Sequence, residues 1–120
     1  MGYESRLYVV NKTTSRNFKD THFYAEQIAS FDLSKTGGYE VFHKYPVTDC
    51  YIYADDGNTE ILEDKYGEKL IEIPVPDAIK ILEDLVNQYP GYRRWQPCIA
   101  LLKGFDLTQW DNLVVLHYGY

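Results

Sequence analysis

The chain has 120 residues with 45% apolar and 25% charged side chains, and its formal net charge is -6. These values are typical of one folded domain over 1–120 and exclude intrinsic disorder, collagen-like repeats and a coiled coil. No apolar run approaches the roughly 18 residues that span a bilayer, and residues 1–10 lack the basic start and apolar stretch of a signal peptide, so we expect a cytoplasmic protein without membrane contact.

The first half of the chain predicts three strands. Residues 5–10 are β-branched and aromatic, which favours a strand. Residues 24–34 match both helical and alternating spacing, and we favour a strand that ends at residues 36–38 (Thr-Gly-Gly). The Tyr-Pro pair at 45–46 then predicts an irregular connection, because proline restricts the residue before it and cannot donate to a strand ladder. Residues 50–54 predict a buried strand.

Two turns follow in the middle of the chain. Residues 55–58 (Asp-Asp-Gly-Asn) are typical of a β-turn in which an aspartate bonds its own backbone. Residues 60–63 and 69–73 are then predicted to form a hairpin around residues 64–67 (Asp-Lys-Tyr-Gly). In that hairpin Gly67 would supply the positive φ.

Two helices and a last strand complete the chain. Residues 74–77 (Pro-Val-Pro-Asp) are a typical helix start and predict a helix over 77–89. Its apolar stripe is expected at Ile79, Leu82, Val86 and Tyr89. A second helix is predicted over 94–103. Residues 113–118 are apolar on both faces, which predicts a strand in the centre of the sheet.

This order of elements predicts the fold class. Strands come first, a hairpin and two helices follow, and one strand closes the chain. The prediction is a single α+β domain in which two helices cover one face of a mainly antiparallel β-sheet.

The negative charge is concentrated in the middle of the chain. Residues 49–89 hold three basic and eleven acidic side chains, whereas the flanking segments each carry a slight positive excess. A like-charged face of this kind repels phosphates, so direct binding of nucleic acid is not expected. The alternative is a phosphate held by Arg93 and Arg94 beside a base stacked on Trp95, which offers few of the usual contacts.

Adjacent carboxylates make metal chemistry the leading enzyme alternative. Residues 53–56 (Tyr-Ala-Asp-Asp) match the Tyr-x-Asp-Asp box of reverse transcriptases, where paired carboxylates hold the metal ions of nucleotidyl transfer. A chain of 120 residues cannot hold a polymerase palm with its template channel, so a β-turn is the favoured interpretation. A second candidate is a Ca²⁺ site made by Asp55, Asp56, Asn58, Glu60 and Asp64. Their spacing is not that of the EF-hand loop, and we expect no metal site and no cofactor.

Histidine and cysteine offer no local catalytic pair. His22, His43 and His117 are scattered, so each is expected to be an ordinary polar or half-buried residue. Cys50 and Cys98 fall on apolar sides of predicted elements and are expected to be reduced and buried. Because no spacing brings a nucleophile near a base, we predict that the chain is not an enzyme and has no catalytic residue.

Tyrosines accompany the acidic segment. The chain has 12 of them, and aromatic side chains are favoured at binding surfaces. We predict a protein-binding face made by Asp55, Asp56, Glu60, Asp64, Tyr53 and Tyr66. The alternative is that these carboxylates only keep the chain soluble.

Three segments resemble a known group of proteins. The opening MGYESRLYVV, residues 50–58 and the ending WDNLVVLHYGY resemble short uncharacterised proteins that bacteriophages and prophages encode. This resemblance implies the cytoplasm of an infected or lysogenic bacterium, and a protein that binds and blocks a host protein, as anti-CRISPR proteins do. The expected partner is a host protein with a basic surface. The alternatives are a metal-dependent phosphoryl- or nucleotidyl-transfer enzyme using Asp55 and Asp56, and a phage protein with a structural role.

Overall fold

The computed structural model describes residues 4–12, 23–34, 39–91, 93–110 and 112–120. Within these ranges the chain forms six strands and three helices. In chain order they are β1 (Ser5–Lys12), β2 (Phe23–Ser34), α1 (Tyr39–Phe42), β3 (Cys50–Tyr53), β4 (Glu60–Ile61), β5 (Ile71–Pro74), α2 (Val75–Gln88), α3 (Trp95–Lys103) and β6 (Leu113–Gly119). None of the helices in these ranges combines the length and the apolar character that crossing a membrane requires.

The strands form one mixed sheet in the order β4-β3-β2-β1-β6-β5. Neighbouring strands are antiparallel except β2 and β3, which run parallel where Tyr24 pairs with Tyr51. A parallel pair needs a crossover connection, and the chain between β2 and β3 supplies one that contains α1. The predicted α+β class is confirmed, with a sheet that is mixed rather than purely antiparallel.

The sheet curls, so that its two ends approach each other. The segment just before β3 pairs with the outer edge of β5: the Thr48 N–H donates to the carbonyl of Leu70 and the Glu72 N–H donates to that of Pro46, each at 2.9 Å. The inner side of the curl is filled by the buried side chains of Tyr8, Val10, Ala25, Cys50, Ile52, Leu70 and Leu116. These residues form the smaller of two apolar cores.

Helices α2 and α3 cover the opposite side of the sheet and enclose the larger core. Because side chains alternate along a strand, Leu7 and Val9 of β1 face the helices, while Tyr8 and Val10 face the inner side of the curl. Trp95 of α3 is fully buried, and its indole N–H donates to the carbonyl of Leu33 at 3.3 Å. Helix α3 is thereby fixed to the end of β2.

Helix α2 is rotated relative to the predicted apolar stripe. The residues that it buries are Val75, Ala78, Ile81, Leu82 and Leu85. Ile79 and Val86 are half-buried, and Tyr89 is exposed. The helix also begins at Val75 rather than at Asp77, because a proline in the first turn lacks only an N–H that would have no partner within the helix.

The predicted hairpin between residues 60–63 and 69–73 is confirmed only next to its turn, and its two strands have other partners. Strand β4 pairs with β3, and β5 pairs with β6. In the described ranges an isolated bridge between Glu63 and Lys69 links the two segments. The turn between them is as predicted, since Gly67 adopts a φ of 79°. The central place of β6 is also confirmed, because it lies between β1 and β5.

The connection between β2 and β3 contains a helix that was not predicted. Helix α1 has four residues, too few for a periodic pattern in the sequence. The predicted stop at residues 36–38 lies outside the described residues.

Candidate functional site

The first acidic turn, residues 55–60, joins β3 to β4. Oδ1 of Asp56 accepts hydrogen bonds from the backbone N–H groups of Asn58 and Thr59, at 2.8 and 2.9 Å. Oδ2 accepts a hydrogen bond from the Thr59 hydroxyl at 2.6 Å. These bonds, led by the one from the Thr59 hydroxyl, lower the pKa of Asp56 to about 2. Gly57 has a φ of 74°, which a glycine adopts readily. The hydrogen bonds of Asp56 and this φ make the segment an Asx-type turn, the interpretation that the sequence favours over a metal-binding motif.

The second acidic turn, residues 64–68, is built around Asp64. Its Oδ1 accepts the backbone N–H groups of Tyr66 (2.8 Å) and Glu68 (3.0 Å). Its Oδ2 accepts the N–H of Gly119 at 3.3 Å, which ties the turn to the end of β6. Asp64 therefore has a structural role, and its charge remains at the base of the turn.

No ion pair among the described residues neutralises the carboxylates of the two acidic turns. Four salt bridges are formed among the described residues, and their acidic members are Asp32, Asp49, Glu72 and Glu83. Residues 55–69 contain six carboxylates and two lysines. Asp64 is half-buried, and the other five of these carboxylates belong to exposed residues. Within the segment 49–84, the ion pairs among the described residues thus involve Asp49, Glu72 and Glu83 and none of the carboxylates of the two turns.

Tyrosines lie beside both turns. Tyr53 is 37% exposed and is paired with Glu60 across β3 and β4. Its ring contacts those of Tyr24 and Tyr51, with centroids 5.4 and 5.6 Å away. Tyr66, at the tip of the second turn, is 52% exposed. The structure brings Tyr53, Asp55, Asp56 and Glu60 together in one hairpin and places Asp64 and Tyr66 on the next turn.

Two of the three histidines meet beside the second turn, which the sequence did not predict. The rings of His43 and His117 have centroids 5.4 Å apart in an edge-on arrangement. They line a cleft of about 370 Å³, together with Val47, Asp64, Gly67, Glu68, Lys69 and Ile71. We call this the histidine cleft. His22 lies outside the described residues.

His117 is held in place from several directions. It is only 2% exposed, its Nε2 lies 2.9 Å from Oγ of Ser5, and its ring stacks on Phe42 with centroids 5.1 Å apart. Burial, and to a lesser degree the imidazole of His43, lower the pKa of His117 to about 4. The ring is therefore neutral at pH 7. Ser5 and His117 form a buried polar pair that satisfies both groups inside the core.

A second charged cluster surrounds Lys12 at the end of β1. Its ammonium lies 3.1 Å from carboxylate oxygens of both Asp49 and Glu72. Glu72 also accepts a hydrogen bond from the Thr48 hydroxyl at 2.8 Å. Burial opposes the charge of Lys12, but its hydrogen bonds to Glu72 and Asp49 outweigh that effect and raise its pKa.

Among the described residues, three side chains that could act as metal ligands come together in the same cluster. Ligand atoms of Asp49, Cys50 and Glu72 lie within 4.8 Å of one another. The ammonium of Lys12 already forms ion pairs with both carboxylates, so a divalent ion would have to compete with it. Burial also raises the pKa of the Cys50 thiol, which disfavours the thiolate that a metal prefers.

The remaining candidates from the sequence occupy the core. Cys50 and Cys98 are free and buried, as predicted, and burial raises the pKa of Cys98 to about 12. Trp95 is fully buried, so its ring cannot stack a base beside Arg93 and Arg94. The alternative nucleic acid site at Arg93 and Arg94 therefore lacks an exposed aromatic ring on which a base could stack.

Comparison of the chain with protein-family models, with curated proteins and with solved structures gives no match. The resemblance to phage-encoded proteins therefore stays a prediction. What the fold and the site define is a small α+β domain with two acidic, tyrosine-flanked turns and a histidine cleft beside one of them.

Proposed function

We propose that this protein binds a basic surface of a host protein through its two acidic turns and thereby blocks that protein. The observation that carries the proposal is that the exposed carboxylates of residues 55–68 have no ion-pair partner among the described residues. Clustered charge of one sign accelerates encounter with a surface of the opposite sign and suppresses association with wrong partners.

The tyrosines would supply the affinity that exposed charges do not. Charged pairs at the rim of an interface mainly set the rate of association, whereas buried aromatic anchors carry much of the binding energy. Tyr53 and Tyr66 are partly exposed next to the carboxylates, so a partner that contacts the turns would also cover both rings. The rings of Tyr24 and Tyr51 pack against that of Tyr53.

The cellular location and the kind of partner are also part of the proposal. The resemblance of the sequence to phage and prophage proteins supports action in the cytoplasm of an infected or lysogenic bacterium. A partner that normally binds nucleic acid would present the basic surface that the acidic turns require. The proteins of host defence include enzymes that bind nucleic acid. In this proposal the protein acts by occupying that surface and has no catalytic role.

Affinity capture from a bacterial lysate tests the proposal when it is run with two matched variants. Asp55→Lys/Glu60→Lys reverses two exposed charges in the first acidic turn and leaves the turn-forming Asp56 intact. Glu26→Lys/Asp84→Lys changes the net charge equally at exposed positions in β2 and α2. A basic protein retained by the wild type and by the control, but not by the turn variant, is the expected result.

Two results would contradict the proposal. One is recovery of the same proteins by all three forms, which would show that the position of the charges does not matter. The other is recovery of no basic protein at low ionic strength, which would leave solubility as the better explanation of the carboxylates.

A further inference from the structure

We infer that the histidine cleft receives an arginine side chain of the partner, which would anchor the docked surface. The inference rests on the proposed function, because it names the group of a basic partner that the second acidic turn would bind. The cleft is continuous with that turn, since Asp64, Gly67 and Glu68 belong to both.

The size and the walls of the cleft fit a single long side chain. Its volume of about 370 Å³ lies at the lower end of the roughly 300 to 1,000 Å³ that ligand sites occupy. Val47, which is 57% exposed, and Ile71 offer apolar surface to an aliphatic stem. Because Val47 and Ile71 are neighbours in an antiparallel bridge, a side chain that lies along them would share the cleft with the two imidazoles.

The charges of the cleft favour a cation. Glu68 and Asp64 line the cleft, and Glu63 brings a third carboxylate close, because its Oε2 would be 3.7 Å from a Cβ placed on Gly67. Lys69 is the opposing charge. His117 is neutral at pH 7 because burial lowers its pKa to about 4, so its ring does not repel a cation.

A guanidinium fits these walls better than an ammonium. It is planar and weakly hydrated, it stacks on aromatic faces, and it can donate two parallel hydrogen bonds to one carboxylate. The exposed His43 provides an aromatic ring, with the buried His117 against its edge, and the exposed Glu68 provides the carboxylate. Lysine offers one compact charge without the flat surface.

Titration of the isotope-labelled chain with N-acetyl-arginine amide, followed by NMR, tests the inference. We expect saturable shifts of the His43 and His117 ring signals and of the Glu68 amide. The neutral citrulline analogue, which has nearly the same shape, should bind at least about fivefold more weakly, and the lysine analogue should also be weaker. Equal binding of the arginine and citrulline analogues, or the absence of saturable shifts, would overturn the inference.

Two single substitutions in the cleft should have opposite effects. Glu68→Gln should weaken binding of the arginine analogue by about fivefold, and Lys69→Gln should strengthen it. Both residues are exposed, so both variants are expected to fold. Changes of the same sign, or no change in either variant, would contradict the assigned role of the cleft.

The same variants separate this inference from the proposed function. If capture of a basic partner depends on Asp55 and Glu60 but Glu68→Gln neither weakens that complex nor changes the titration, the arginine anchor is wrong and the docking function stands. If the arginine analogue binds as expected but capture does not depend on the first turn, the docking proposal fails and the cleft remains an arginine site.

Discussion

Nε2 of His117 lies 2.9 Å from Oγ of Ser5, so the last strand and the first strand share a buried polar pair. Strands β1 and β6 are neighbours in the sheet, and the register places Ser5 opposite Gly119 and Leu7 opposite His117. On its other side His117 meets Phe42 and His43, at the end of α1 and just beyond it. The pair therefore links the sheet, the crossover connection and the histidine cleft.

The buried state of His117 predicts that acid destabilises the fold. The folded chain holds this imidazole neutral with a pKa of about 4, whereas the unfolded chain binds a proton near the ordinary value of 6.5. The unfolded state thus takes up more protons between these values, and stability falls as pH decreases through this window. We expect a loss of about 1 kcal/mol for each pH unit in chemical unfolding measured between pH 7 and 5.

The histidine variants identify the group responsible. His117→Asn should lower stability at pH 7 but flatten its dependence between pH 7 and 5, while His43→Gln, at an exposed position, should keep the slope of the wild type. The comparison uses slopes, so a general loss of stability does not affect it. A wild type equally stable at pH 7 and 5 would contradict the assignment.

Removal of the Lys12 ammonium is expected to destabilise the curl of the sheet. Lys12→Met would leave Asp49 and Glu72 facing each other without a cation at the contact between β1, β5 and the segment before β3. We expect a loss of about 1 to 3 kcal/mol in the free energy of unfolding at pH 7. The double variant Lys12→Met/Glu72→Gln should recover part of this loss, and a double variant less stable than the single one would refute this role of Lys12.

The binding of divalent metal ions tests the alternative that the protein is a metal-dependent enzyme using Asp55 and Asp56. Asp56 uses both carboxylate oxygens within its turn, and its pKa of about 2 reflects the three hydrogen bonds that it accepts. Calorimetric titration with Mg²⁺, Mn²⁺ or Ca²⁺ should therefore show no tight, stoichiometric binding. Tight binding to the wild type that disappears in Asp55→Asn/Asp56→Asn would instead support metal-dependent phosphoryl or nucleotidyl transfer.

Local chemistry explains why the strands and turns could be predicted from the sequence. Residues 5–10 are rich in β-branched and aromatic side chains because both sides of β1 face apolar cores. Gly57 and Gly67 mark turns that require positive φ. The partner of each strand was less predictable, because β4 and β5 look like a hairpin in sequence although β4 pairs with the preceding β3 and β5 pairs with the distant β6.

The orientation of α2 and the histidine cleft depend on tertiary packing. Helix α2 has apolar side chains around a wide arc, so periodicity did not show that Ala78 and Leu85, rather than Ile79 and Val86, lie at its centre. His43 reaches His117 only through a crossover with a four-residue helix. The acidic turns could be predicted because their carboxylates are close together in sequence. That these carboxylates form no ion pair with any other described residue could be seen only in the folded chain.

The central claim is that the position of the negative charge, in the two acidic turns, controls association with a basic partner. Its most direct test is the association rate constant of a captured partner, measured by stopped flow at low and high ionic strength. For the wild type we expect a fast rate that falls steeply with salt. In Asp55→Lys/Glu60→Lys the rate at low salt should be about tenfold slower with a flatter salt dependence, while Glu26→Lys/Asp84→Lys stays within about twofold of the wild type. Equal rates for the wild type and the turn variant at low ionic strength would contradict the account.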